Sequence, residues 1–590
     1  MDREFNVVLG PGGQNIVDWQ KGSLAELACF RAATNPNLEI LTFLGDGCNE
    51  TAHLTAQELD TKAGNLASWL IKFLRPQQRV VLLFENSPEY LLGLFGCAYA
   101  GVTPVSGVYP TDFGSKQRFC HIVKDSNAVA VIGEKKTLAS FQKECQLENL
   151  NILWIPVELS EKHNKYSYFP VKNSDEALIQ YTSGSTNIPK GVILTSRNIL
   201  FNLTQQGIKL GYTQGDVGVS WLPLSHDMGL MGAALMAIAA GGQCVLLPPE
   251  KFLQTPTNWL RAISKYKATL SGAPGFAYDM CVNFEDNLLE SVDLSKWEQA
   301  FVGSESISFE TIQKFSSKFS KYGFKDNAFC PCYGLAEATL LVSCKARKQN
   351  VSLAKFSRAF LTESVVAPPL SIGDERILVS CGEVIDETHV LIITNETDFS
   401  LAAENEEGLL YVSGPGVSEG YCGYGNQNIM KLQHNELNYL YTGDKGFFSD
   451  KTLFLTGRKN NEVIINGFKI DPEDFVFSVA QKITGISQNN CTVFLRNNIP
   501  TFVCSIFNYN NGEEKLLSYQ VQKIFEEKFK IKEAEIWFVN QASFSKTPSG
   551  KINIESTKHN LFHNESLILK KIKIEKKQNF IVFNKEIYLA

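Results

Sequence analysis

The chain holds 590 residues, 44% of them apolar and 20% charged, with a formal net charge of −6. That length exceeds what one hydrophobic core supports, so at least two domains of ordinary soluble, globular composition are expected. The acidic balance gives no electrostatic ground for a nucleic-acid partner.

Taken in order, Met1-Asp2-Arg3-Glu4-Phe5 has neither the basic nor the apolar region of a secretory leader. Residues 1–22 show no clear period, and Gly10-Pro-Gly-Gly13 reads as part of a loose arm. Thr55-x-x-Glu58 is a capping-box pattern, opening a helix with Leu59, Ala63, Leu66, Leu70 and Leu74 on one face. Arg79–Phe84 reads as a buried parallel strand. Helix and strand then alternate through 128–132, 151–155 and Thr269-Leu270, which predicts an α/β architecture with covered sheets. Two uncharged runs, Tyr90–Lys116 and Met228–Pro249, are long enough to cross a bilayer. Gly101, Pro104, Gly107 and Pro110 break the first, and Gly241-Gly242 and Pro248-Pro249 break the second. Each therefore reads as buried helix, glycine turn and buried strand, with no transmembrane segment.

Ser308 is placed to cap a helix with Ile312, Phe315, Phe319 and Tyr322 on one face. Residues 345–379 open on the polar run Lys345–Asn350, contain Pro368-Pro369, and follow neither period, so they read as an insertion. A smaller α+β unit follows Arg458-Lys-Asn-Asn461. The basic, alternating stretch 567–577 reads as a solvated edge strand, with a docking surface for an acidic partner as the sharper alternative. The 14 cysteines show no four-ligand zinc spacing, and scattered thiols without a leader suit the reducing cytoplasm.

The most informative stretch is Tyr181-Thr-Ser-Gly-Ser-Thr-Asn-Ile-Pro-Lys-Gly191, set between the strand-like runs 177–181 and 191–195. Thr182, Ser183, Gly184, Ser185 and Thr186 offer hydroxyls and accessible amides. Gly184 lets the chain curl around an anion, and Lys190 adds a point charge. It is a phosphate cradle but no Walker A loop: Pro189 stands where that motif needs glycine, and a β-branched run stands where it needs a helix.

This string resembles the phosphate-binding loop of the adenylate-forming superfamily, and further stretches match that superfamily in order. These are Gly303-Ser304-Glu305, Tyr333-Gly334-Leu335-Ala336-Glu337-Ala338-Thr339, Tyr441-Thr-Gly-Asp444, Leu455-Thr-Gly-Arg458 and Lys546-Thr-Pro-Ser-Gly-Lys551. Trp221-Leu-Pro-Leu-Ser-His-Asp-Met-Gly-Leu230 is similar to fatty acyl-AMP ligases, and the likeness runs from about Ser23 to Ile552. The insertion at 345–379 sits where that family carries its extra segment. One departure stands out: the hinge normally reads Lys-Asp, and this chain has Asn460-Asn461.

The resemblance implies a 23–457 AMP-binding domain of covered sheets, a 458–461 hinge, and a small, mobile 462–590 domain. It implies that Gly303 and Ser304 line the adenine pocket beside Tyr333, Gly334 and Ala336. Asp444 would take the ribose hydroxyls, and Arg458 the ribose or phosphate. Glu337 would hold Mg²⁺ on the ATP phosphates, its alternative being a carboxylate at a helix N-terminus. Lys551 would neutralise charge in the transition state, and His226 would stand at the tunnel mouth. The implied activity joins a fatty acid and ATP into acyl-AMP and pyrophosphate. The acyl group then passes to an acyl carrier protein or to a carrier domain of a polyketide or peptide synthase. The alternatives are an acyl-CoA synthetase and a non-catalytic acyl- or nucleotide-binding relative.

Overall fold

The computed structural model describes residues 5–10, 15–107, 109–110, 113–144, 151–158, 169–182, 189–304, 306–371, 374–423, 431–461, 463–465, 468–470, 472–483, 486, 490–497, 499–505, 513–529, 531, 533–546, 552–574 and 581–583.

The β-branched runs become the interior strands of two largely parallel sheets. In the seven-stranded sheet, Arg79–Leu83 lies between Thr103–Ser106 and Ala130–Gly133, all parallel. The hairpin of Glu176–Thr182 and Lys190–Thr195 is added along Thr103–Ser106. In the nine-stranded sheet, Val217–Ser220, Leu270–Ala273, Gln299–Val302 and Phe329–Gly334 run parallel in successive pairs. Between the two sheets lie the helices Leu24–Thr34, Ala56–Leu70, Pro88–Ala100 and Ser196–Leu210, and residues from both sheets and these helices form one continuous apolar core. A second core, on the far side of the nine-stranded sheet, is dense in aromatic rings around Trp259, Tyr278, Trp297 and Phe315.

The local signals that read clearly in sequence form as expected. Thr55 and Glu58 make both halves of the capping box, and Ser308 accepts the Thr311 amide. The two long uncharged runs resolve into helix, left-handed glycine and strand, with Gly101 at φ 71° and Gly241 at φ 74°. Among the described residues no helix is long and apolar enough to cross a membrane.

Two expectations need correction. The N-terminal arm is docked: Val7–Leu9 and Asn15–Val17 pair antiparallel, Val17 is buried in the core, and Phe5 packs edge-on to Phe30. The alternation of small and apolar residues there is too short to register as a strand pattern. The basic stretch 567–577 supplies no edge strand, because Ile568–Ile574 lies between Ala534–Val539 and Ile581–Phe583 in the C-terminal five-stranded sheet. Its lysines meet this chain's own acids, Lys570 to Glu514 and Lys571 to Glu565. The polar opening of the insertion is an anchor as well as a surface. Lys345 is 5% exposed and donates to the carbonyls of Asn327, Ala346 and Gln349.

Within the insertion, Leu353–Ser357 pairs antiparallel with Glu375–Val379, with the helix Arg358–Thr362 between them. Phe356, Leu361 and Leu378 pack on Phe447 and Phe454, so the segment sits on the antiparallel sheet that precedes Lys459–Asn461. Val366 joins that cluster, whereas Val365 is exposed.

Arg347 secures the start of the insertion, bonding both oxygens of Asp216 at 3.0 and 2.9 Å. Burial alone would raise the Asp216 carboxyl. Hydrogen bonds from Arg347, Thr269 and the Thr213 amide outweigh it and hold the group below its usual value. That stabilisation is complete above the unfolded pKa and is lost as pH falls through the lower folded one. Asp216→Asn is expected to cost about 2 kcal/mol in denaturant unfolding near neutral pH, since it removes the charge-assisted hydrogen bonds to one of the two carboxylates that Arg347 pairs with, Glu298 remaining on its Nε. The gap to the wild type should narrow as pH falls below about 4. A gap that does not change with pH would place the cost in packing alone.

Candidate active site

The parallel strands of the nine-stranded sheet align their carboxyl ends, and ligands collect at that edge in open α/β sheets. A cavity of about 1650 Å³ opens there, lined by residues of both large sheets, the antiparallel sheet and the C-terminal unit.

At its centre is the carboxylate of Asp444, which is 7% exposed. The Tyr333 hydroxyl donates to Oδ2 at 2.7 Å, and Arg458 Nε donates to Oδ1 at 2.6 Å. Asp444 and Arg458 are cross-strand partners, so sheet register sets this pair directly. Burial, together with the Asp444 charge, pushes the Tyr333 phenol well up, so it remains a donor at any physiological pH. The Tyr333 ring packs in the small core with Val342, Cys381 and Leu410, and its hydroxyl orients the carboxylate. Each carboxylate oxygen retains a second acceptor site, which matches a vicinal diol.

Gly303 and Ser304 form the adjoining turn. A Cβ at Gly303 would lie 2.7 Å from the Cys332 carbonyl, so only glycine allows the two strands this approach. Ser304 lines the cavity at φ 68°, an uncommon left-handed conformation for a residue with a side chain. Glu305 lies outside the described residues.

Gly334 begins a tight return in which the Leu335 amide bonds the Leu340 carbonyl at 2.9 Å. Ala336, Glu337 and Ala338 make a single 3₁₀ turn, too short for a helix dipole to explain a carboxylate at Glu337. Glu337 Oε1 accepts the Tyr421 hydroxyl at 2.6 Å, and Lys190 Nζ stands 5.2 Å above the Tyr421 ring. Lys190, Tyr421 and Glu337 therefore form one polar chain along the cavity wall. Burial, then Glu337, raises the Tyr421 hydroxyl. Lys190 pairs with Thr182 across the hairpin. Ser183, Gly184, Ser185 and Thr186 lie outside the described residues.

His226 opens a short helical turn at the cavity, its Nδ1 2.6 Å from Asp227 Oδ1. The Met228 amide donates to the same Asp227 oxygen at 2.7 Å. Lys551 is outside the described residues. Its neighbours Lys546 and Ile552 bridge to one another and line the cavity.

Sequence reasoning missed two wall residues. Tyr421 reaches Lys190 only because Gly420–Tyr421 pairs with Val192-Ile193, a contact no local spacing announces. Gln180, 1% exposed, lines the cavity while its amide nitrogen donates to the Ser225 carbonyl, beside His226. An inward glutamine in an apolar strand was the available signal.

Residues 30–422 match the family described as AMP-binding enzyme. The chain belongs to that family. It is 32% identical over 478 residues to the medium-chain-fatty-acid–[acyl-carrier-protein] ligase JamA of Moorena producens, covering 78% of this chain and 80% of that protein. It is 30% identical to the long-chain-fatty-acid–AMP ligase FadD26 of Mycobacterium marinum, over 78% of this chain and 83% of the relative. A structure from studies of fatty acyl-adenylate ligases of E. coli and L. pneumophila superposes with a TM-score of 0.83 at 26% identity, over 92% and 98% of the two chains. The L. pneumophila fatty acyl-adenylate ligase in complex with acyl adenylate and pyrophosphate gives 0.70 at 30% identity, over 93% and 97%. The fold is that of the fatty acyl-AMP ligases.

Tyr333→Phe removes one of the two donors on Asp444 and is expected to weaken ATP binding about tenfold, the worth of one hydrogen bond to a charged group. Calorimetric titration reads this directly. Unchanged affinity would mean that the nucleotide does not use Asp444.

Proposed function

We propose that this protein activates a fatty acid with ATP, forming acyl-AMP and pyrophosphate, and passes the acyl group to the phosphopantetheine thiol of an acyl carrier protein. The observation that carries the reading is one continuous cavity. It joins the polar wall of Asp444, Tyr333, Glu337 and Lys190 to an arm along Asp216–Ser220 whose wall includes Leu210, Leu222, Ala237 and Leu270. The names of the relatives support the substrate class, and JamA's supports the carrier.

In this reading a carboxylate oxygen attacks the α-phosphorus, forming a P–O bond as the bond to pyrophosphate breaks. The chain's contribution is positioning and charge neutralisation. Asp444 holds the ribose hydroxyls while Ser304 and Tyr333 border the base. Thr182 and Lys190 face the phosphates. Lys551 is brought to the carboxylate and α-phosphate by the C-terminal unit 462–590. His226 stands at the mouth of the acyl arm. Glu337 suits Mg²⁺: the described residues contain no cluster of three or more ligating side chains, and Mg²⁺ takes one or two carboxylates plus substrate phosphates and water. When bound, it would offset phosphate charge. The described cysteines form no disulfide, which suits the reducing cytoplasm.

The acceptor depends on how far the 462–590 unit turns about Asn460-Asn461. The insertion packs on the sheet before that joint, and its Arg358 guanidinium lies 5.4 Å above the Phe529 ring on the other side. A segment touching both sides would limit the swing that assembles a tunnel for free CoA, whereas a carrier protein brings its own docking surface and effective concentration. Mass spectrometry should find acyl-AMP and acyl-carrier product but little acyl-CoA from the intact protein. Efficient acyl-CoA synthesis would replace this reading with a CoA ligase. Lys551→Ala is expected to slow adenylate formation by roughly 10²–10³-fold with ATP affinity nearly intact. Equal losses in binding and rate would assign that lysine to ground-state binding.

A further inference from the structure

An arm of the cavity follows the chain from Ser220, near His226, back to Asp216, a run of about 13 Å at strand rise, with Leu210, Ala237 and Leu270 on its wall beside Gln206 and Gln243. It ends where the helices Ser196–Leu210 and Met236–Ala240 both stop in left-handed glycines, Gly211 at φ 61° and Gly241 at φ 74°. Behind that end lies a second, separate cavity of about 20 Å³.

The two cavities occupy opposite sides of one helix pair. Gln206 and Ala237 face the large cavity, while Leu203, Gly207 and Met236 face the small one. One residue lines both: Tyr212. Its position is fixed by the backbone. The Gly211 amide bonds the Gly207 and Ile208 carbonyls, and the Tyr212 amide bonds the Gly207 carbonyl at 3.0 Å. That is a Schellman closure, which turns the residue after the glycine back onto the helix it has just left. Tyr212 is 6% exposed and belongs to the core between the sheets. The far wall of the small cavity includes Ile16 and Val17 of the docked N-terminal hairpin, a segment the adenylation chemistry does not use.

We propose that Tyr212 is the residue that sets the longest acyl chain this protein accepts, closing the acyl arm against a reserve cavity walled by the N-terminal hairpin. The inference rests on the fatty-acid reading above. Ring and reserve space together decide the limit. A chain one methylene too long meets the phenol, and the space behind it is about one water in size and out of reach while the ring stands there. Truncating the ring joins the two cavities. Discrimination against a single excess methylene is then lost, and that discrimination is worth roughly 10-fold or more in kcat/KM.

The test is acyl-AMP formation by the full-length protein from a homologous series of saturated fatty acids, for wild type, Tyr212→Ala, Tyr212→Leu and Tyr212→Ala/Leu203→Phe. Tyr212→Ala should move the cut-off up the series, with about a 10-fold gain in kcat/KM for the first acid the wild type rejects. Shorter acids should be used at near wild-type rates. Tyr212→Leu, which keeps more of the core filled, should shift the cut-off less in the same direction, and it carries the test if the alanine variant does not fold. Leu203→Phe, by filling the reserve cavity, should return the cut-off of the alanine variant toward wild type. An unchanged cut-off in a folded Tyr212 variant would overturn the proposal while leaving fatty-acid adenylation in place. Wild-type protein that makes no acyl-AMP from any acid in the series would overturn the function reading and this inference with it.

Discussion

The constraint on which the site depends is the buried carboxylate of Asp444. An ionised group removed from water is tolerated only where donors replace its hydration. Here the two donors come from different parts of the fold. Tyr333 ends a strand of the nine-stranded sheet, and Arg458 ends the last strand before the hinge residues. The same bonds that make the charge tolerable bring the carboxyl edge of the parallel sheet, the antiparallel sheet and the joint to the C-terminal unit together. Arg458, half exposed on the cavity side and held strongly protonated by Asp444, is the member of the trio with room to turn toward a ligand.

Around this point the wall is ordered by sheet pairing rather than by loops alone. The Lys190–Thr182 pair closes the hairpin of Glu176–Thr182 and Lys190–Thr195, and Gly420–Tyr421, laid along the same hairpin, delivers a phenol between Lys190 and Glu337. The return after Gly334 is held from below: Thr339, fully buried at φ 68°, donates to the Gly416 carbonyl at 2.7 Å. A β-branched residue in that conformation is strained, and strain of this kind persists where surrounding contacts over-determine the backbone. Glu337 is thus set by a rigid turn.

Much of this was legible because the signals are local. Glycines and prolines divided the uncharged runs into helix, turn and strand. The capping residues Thr55 and Ser308 marked helix starts through their own side-chain geometry. Cavity-lining residues such as Lys190, Ser304, Tyr333, Glu337 and Asp444 stand in short strings whose chemistry depends on adjacent positions. What the sequence did not reveal depends on distance. Arg347 reads as part of a polar insertion, yet it meets Asp216 across 131 residues. Tyr421 sits in no motif and becomes part of the wall only through pairing with Val192-Ile193. The N-terminal hairpin, three residues a strand, is too short for periodicity to register, and its apolar pair Ile16-Val17 gains meaning only from the helices it covers. The basic 567–577 stretch looked like an edge because its lysines alternate, but its central place reflects a neighbouring strand of low sequence contrast.

The central claim is that a fatty-acid carboxylate attacks the α-phosphorus of ATP in this cavity. The most direct measurement follows oxygen. With both carboxylate oxygens labelled with ¹⁸O, one label should enter the new P–O bond and remain on AMP after the acyl group leaves for the carrier thiol. The account predicts one ¹⁸O per AMP and none in pyrophosphate. Label in pyrophosphate or inorganic phosphate, or AMP released without label, would contradict it.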